Sequence, residues 1–169
     1  MVLHLYYSMK FDDLYALASL FKKYAQDPQI QQDAELKSPN IIVEPLNPVI
    51  SKAVKLLQRM DPNYFVGARK IVITMSPNYG FVQSGPGKDP TVININLSRI
   101  IAESGGNLGS PEAVLAAATT IAHESGHVRS YNESQGFVGG EGPAEAEEAR
   151  VRGWIESNMN RLQDIVSSA

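Results

Sequence analysis

Residues 122–131 read AHESGHVRSY, with His123 and His127 four positions apart and Glu124 between them. On a helix, at about 100° per residue, the two histidines lie about 40° apart around the axis and one turn apart along it. Two imidazoles so placed can converge on one metal ion, whose nitrogen ligands sit at about 2.0–2.1 Å. Glu124 projects roughly 80° from their mean direction. There it can touch a water at the metal without itself becoming a ligand, which is the mechanical content of an HExxH pattern.

The neighbours of this stretch say whether it is a helix and where it points. Ser110-Pro111-Glu112 is a helix start: a capping hydroxyl, a proline in the first turn and an acid at the positive end of the dipole. The helix is expected to run through His127 to about Ser130. Val114, Ala118, Ile121 and Val128 cluster opposite the histidines, and the small Ala116 and Thr120 lie above them on their own face. A helix short of charge on both faces belongs in the middle of a domain. Two imidazoles and a carboxylate placed there need partners, and a metal supplies one. Gly126 costs a helix about 1 kcal/mol relative to alanine, which is explained if another backbone approaches closely at that point.

Composition narrows the partners. The 169 residues suit a single domain spanning 1–169. Net charge is −3 with no basic run, so nucleic acid is not an expected partner. The apolar runs are too short for a membrane span. The opening MVLHLYYSMKFDDLYALASLF lacks a basic n-region, and Asp12 and Asp13 interrupt it, so a cytoplasmic location is expected. Asn96-Leu97-Ser98 and Asn132-Glu133-Ser134 match the glycosylation sequon and, without an export signal, read as coincidence. The absence of cysteine removes disulfides, thiol nucleophiles and thiolate metal sites together. Any metal is therefore held by His, Asp or Glu. His4, the third histidine, stands without context and reads as structural or exposed.

Along the chain, Phe11, Leu14, Leu17, Ala18 and Phe21 predict an amphipathic helix over 9–26. NIIVEP (40–45) is briefly strand-like. Asn47 as cap and Pro48 in the first turn predict a second helix that stops near Asp61-Pro62. KIVITM (70–75) and GFVQ (80–83) read as strands, separated from a third by the turn-forming SGPGKDP (84–90). That third strand, TVININL (91–97), alternates Ile93, Ile95 and Leu97 with Asn94 and Asn96, as a half-buried strand or one along a cleft does. NESQGFVGGEG reads as a loop, and Pro143 opens a last helix to about Val166. The sum is an α+β domain: two N-terminal helices, a small mixed or antiparallel sheet, the HExxH helix and a C-terminal helix packed on it.

A catalytic zinc takes three protein ligands and keeps one open position. No histidine follows His127, so the third is a carboxylate from Glu141, Glu145, Glu147 and Glu148. The last helix has an apolar stripe of Ala144, Val151, Ile155, Met159, Leu162 and Val166. Glu148 falls near its centre, while Glu145 and Glu147 lie roughly 80° to either side. Glu141, ahead of Pro143, is expected in the loop. An acid in a core-facing stripe asks for a partner. Glu148 is the expected ligand with Glu145 in reserve; a buried ion pair with Arg150, Arg152 or Arg69 is the alternative.

HESGH at 123–127 and EEARVRGW at 147–154 together resemble the gluzincin metallopeptidases, both the thermolysin-like enzymes and the compact ImmA/IrrE-type minimal zincins. The resemblance covers about 90–154. It implies a zincin-like fold in which TVININL is the edge strand that runs along the substrate. It also implies a zinc-dependent peptidase: Zn²⁺ on His123, His127 and Glu148, Glu124 as general base, and an extended peptide or protein as substrate. Val151 and Arg152 depart from the family pattern, which usually places Ala or Ser and then Asp or Asn there. The acid that holds the far nitrogen of a ligand histidine is thus missing from its usual place. The family's downstream histidine beside the oxyanion is also absent, leaving Tyr131 or an arginine for that task. These departures suit an alternative from another class, a peptide- or partner-binding module that keeps a structural zinc site.

Overall fold

Asn47 shows how closely local chemistry sets the elements. Its Oδ1 accepts from the backbone N–H of Val49 (2.9 Å) and Ile50 (3.3 Å), so the chain turns into a helix there. The computed structural model describes residues 41–83, 85–105, 107, 109–134 and 140–166. All of them belong to the compact unit Lys37–Ala169. His4 and the helix expected over 9–26 lie outside the described residues.

The elements run β1 (Ile42–Glu44), α1 (Pro48–Met60), β2 (Lys70–Ile73), β3 (Gly80–Val82), β4 (Val92–Ile95), α2 (Leu97–Glu103), α3 (Pro111–Glu133) and α4 (Glu141–Val166). The described residues are therefore α+β, with four helices and a mixed sheet of four strands ordered β1-β2-β4-β3. β1, β2 and β4 are parallel, and β3 runs antiparallel to β4. Ile71 pairs with Ile93 and Ile73 with Ile95. Ile71, Ile93 and Ile95 are fully buried, the inward set of the period-two pattern.

Two expectations need correction here. TVININL is not one strand at an edge. β4 ends at Ile95 and lies between β2 and β3, with both of its backbone edges paired. Asn96 accepts at Oδ1 from the Arg99 N–H (3.2 Å) and starts α2, a helix the alternation concealed. A short polar side chain at a helix start and one on the outward face of a strand look alike in sequence. Asn94 is spent within the sheet, donating to the Phe81 carbonyl at 3.2 Å. The sheet's edges are β1 and β3, and β3 is the edge strand beside β4. Glu141, expected in the loop, is the first residue of α4.

α3 is the central element. Ser110 Oγ accepts from the Ala113 N–H (3.2 Å) at its start, and the helix packs on α1, α2, α4, β3 and β4. Val114, Ala118, Ile121 and Val128 are all buried. No described helix is long and apolar enough to cross a membrane.

Gly126 is the point where α4 meets α3. A Cβ on Gly126 would lie 2.6 Å from Ala144 Cα and 2.9 Å from the Pro143 carbonyl oxygen. Both neighbours are backbone, so the helices cannot yield without separating. Gly126→Ala should therefore lose roughly 1–3 kcal/mol in urea unfolding despite alanine's better helix propensity. An unchanged or raised midpoint would show that the two helices do not touch there.

Candidate metal centre

α3 presents His123 and His127 on one face, with ring centroids 5.2 Å apart and the rings edge to face. The first turn of α4 brings a carboxylate to them. Glu141 Oε2 is 3.1 Å from His123 Nε2 and 3.7 Å from His127 Nε2. One ligand atom from each of the three lies within 4.8 Å of the others. Ligands bound at about 2.0–2.1 Å in a tetrahedral site sit about 3.3–3.4 Å apart, close to these separations. Unprotonated imidazole nitrogens and a carboxylate oxygen are all acceptors, so their convergence calls for a proton or a metal cation among them. Nitrogen, nitrogen and oxygen are donors that zinc takes, and the residues present fit that ion.

Glu148 is placed differently from the expectation. It is half-buried, and its Oε2 lies 3.2 Å from His123 Nδ1, on the far side of the ring from Glu141. Its other oxygen accepts from Arg152. With the proton on Nδ1 and donated to Glu148, His123 Nε2 keeps the lone pair a metal requires. A carboxylate thus stands behind His123, although Val151 and Arg152 occupy the positions expected to supply one. Glu145 is exposed and outside the cluster.

Of the α4 acids that are candidate ligands, the one that enters the interior is Glu147, 7% exposed. The Tyr64 hydroxyl donates to it at 2.7 Å, Arg150 at 2.7 and 2.9 Å, and Arg129 Nη1 stands at 2.8 Å. Burial alone would raise its pKa. The bonds from Arg150, Tyr64 and Arg129 outweigh that and hold it at about 2. Burial, with the bond to Glu147, pushes the Tyr64 hydroxyl well above its ordinary range. Sequence reading placed Glu147 beside the stripe and missed this cluster. The Glu147–Arg150 spacing on one helix was the available signal. Arg129 and Tyr64 reach the same acid from α3 and from the turn after α1, which no local pattern reveals.

Glu124 sits beside the histidines and against the sheet. It is 5% exposed, and its Oε2 has no hydrogen-bond partner among the described residues. Burial raises its pKa to about 7; the charge of Glu141 adds to the shift and His123 opposes it. Gly80 of β3 lies directly against its side chain. Tyr131 is half-buried near the end of α3. No protein-family model, curated protein or solved structure matches this chain.

The raised pKa of Glu124 couples folding to pH. Between its ordinary 4.5 and about 7 the native protein binds the proton more tightly than the unfolded chain. That contribution is complete below the lower value and is lost as pH rises through the upper one. Metal-free wild type should lose on the order of 3 kcal/mol across this window relative to Glu124→Gln. Urea unfolding of both proteins at several pH values measures it, and parallel pH profiles would contradict the assignment.

Proposed function

We propose that the chain is a zinc-dependent peptidase of minimal zincin architecture, with His123, His127 and Glu141 holding the metal. One observation carries this reading: Glu141 reaches both imidazole Nε2 atoms while the buried Glu124 carboxylate stands beside them. The sheet supports it, because an antiparallel edge strand lies next to the helix of the histidines. When bound, zinc supplies Lewis acidity, polarising a carbonyl and lowering the pKa of a water.

The protein's own residues do the rest. Glu124 takes a proton from the attacking water and passes it to the leaving nitrogen. Its Oε2 has no hydrogen-bond partner among the described residues and can accept that proton. Glu148, backed by Arg152, orients His123. The outer edge of β3 accepts an extended peptide as an added strand, the task first assigned to TVININL. A second reading, a peptide-binding module with structural zinc, is favoured by one observation. Arg129 and Arg152 are each engaged by a carboxylate, Glu147 and Glu148 respectively, rather than aimed at a reacting carbonyl.

Elemental analysis with casein digestion separates these readings. Glu124→Gln should retain zinc and lose about 10²–10⁴-fold in turnover. Glu141→Gln should lose the metal, while Glu148→Gln should weaken its binding by about 10–100-fold. Zinc retained by Glu141→Gln but lost by Glu148→Gln would exchange their roles. A zinc-loaded wild type that leaves casein intact would leave only the binding module standing.

A further inference from the structure

Gly80 opens β3, and its Cα faces Glu124 across the gap between sheet and α3. A Cβ built on Gly80 would lie 2.7 Å from Glu124 Cγ, 2.8 Å from Oε1 and 3.0 Å from Cδ. No side chain fits there with Glu124 in its present position.

The strand is poorly able to yield. Gly80 pairs with Ile95, which is fully buried between β3 and β2. One residue earlier, the Tyr79 carbonyl accepts from the Asn96 N–H at 2.7 Å. The backbone is thus held at the contact and one residue before it. Glu124 is the movable partner, since its carboxylate ends a flexible side chain and its Oε2 is not tied by a hydrogen bond among the described residues. Nor does the backbone of Gly80 demand glycine: its φ lies outside the left-handed region, where a side chain would be strained. The requirement for glycine comes from Glu124.

We infer that Gly80 is a positioning residue for Glu124: its bare Cα forms the wall against which the carboxylate is held beside His123 and His127. The assignment of a reaction to that carboxylate rests on the peptidase reading above; the contact itself does not. Any side chain at position 80 drives the carboxylate from this slot, and a displacement of about 1 Å in a reacting group can cost about 10²-fold in rate. Glycine inside a strand is otherwise a weakness, because it has no side chain to pack and loses more freedom on folding.

A thermal double-mutant cycle on the metal-free 169-residue chain tests the contact without needing a substrate. Gly80→Ala should lower Tm in the wild-type background. In a Glu124→Ala background, where the space is vacated, the same change should be neutral or raise Tm, as glycine replacement does where the backbone permits it. If Gly80→Ala does not fold alone, folding regained in the double variant gives the same answer. Equal Tm losses in both backgrounds overturn the inference.

The functional arm uses zinc-loaded protein and casein. Gly80→Ala should keep its zinc and, assayed well below its Tm with rates normalised to folded, zinc-loaded protein, lose kcat with little change in KM; that normalisation removes the apparent loss a smaller folded fraction would produce. Undiminished kcat also overturns the positioning role. A wild type that binds zinc and digests no casein defeats the peptidase reading, and the thermal cycle then decides for Gly80 alone.

Discussion

The approach of α4 to α3 at Gly126 is the constraint on which the site depends. With Ala144 Cα where a Gly126 Cβ would be, the two helices are held at backbone distance. Gly126 is one residue before His127, and Ala144 is three after Glu141. The same contact therefore sets how far Glu141 stands from the imidazoles, and how Glu148, one turn further along, meets His123. A larger residue at either place would part the helices and with them the donors. Cores pack too tightly to absorb such a change without movement.

The buried ion cluster holds the same helix pair one turn deeper. Glu147 is gripped by Arg129 from α3, Arg150 from its own helix and Tyr64 from the turn after α1. Removing one partner from such a cluster leaves a buried charge uncompensated, which is far costlier than never having buried it. Three neighbouring carboxylates thus have three fates. Glu147 is kept ionised by three donors, and Glu148 is shared between a histidine and an arginine. Glu124 is raised to about 7 by burial with one oxygen unsatisfied. Environment, not residue type, separates a structural acid from one suited to proton transfer.

The local placement of the candidate site's residues was partly legible from periodicity, and where the structure differs the causes are physical. A helical wheel averages over the apolar residues and placed Glu148 near the stripe's centre. It cannot see that Tyr64 and Arg129 stand opposite Glu147, or that Glu148 looks into the half-open space at His123. Pro143 normally marks a first helical turn, which puts Glu141 in the loop by sequence; the helix begins two residues sooner. Gly80 in NYGFVQ reads as a strand glycine, a signal of close backbone approach, but not of what approaches.

Sequence by itself determined the local elements: the Asn47 and Ser110 caps and the buried α3 with both histidines on one face, and it marked Gly126 as a helix glycine that a neighbouring backbone would explain. These follow from short-range sterics and hydrogen bonding, which operate within a few residues. Only the tertiary structure decided which acids meet the histidines and at which nitrogen, which strand beside β4 leaves an edge, and what presses on Glu124. Those outcomes depend on the pairing of distant segments, such as β4 inserted between β2 and β3 and Glu141 carried onto α3. A few ångströms of relative placement then choose among chemically identical carboxylates.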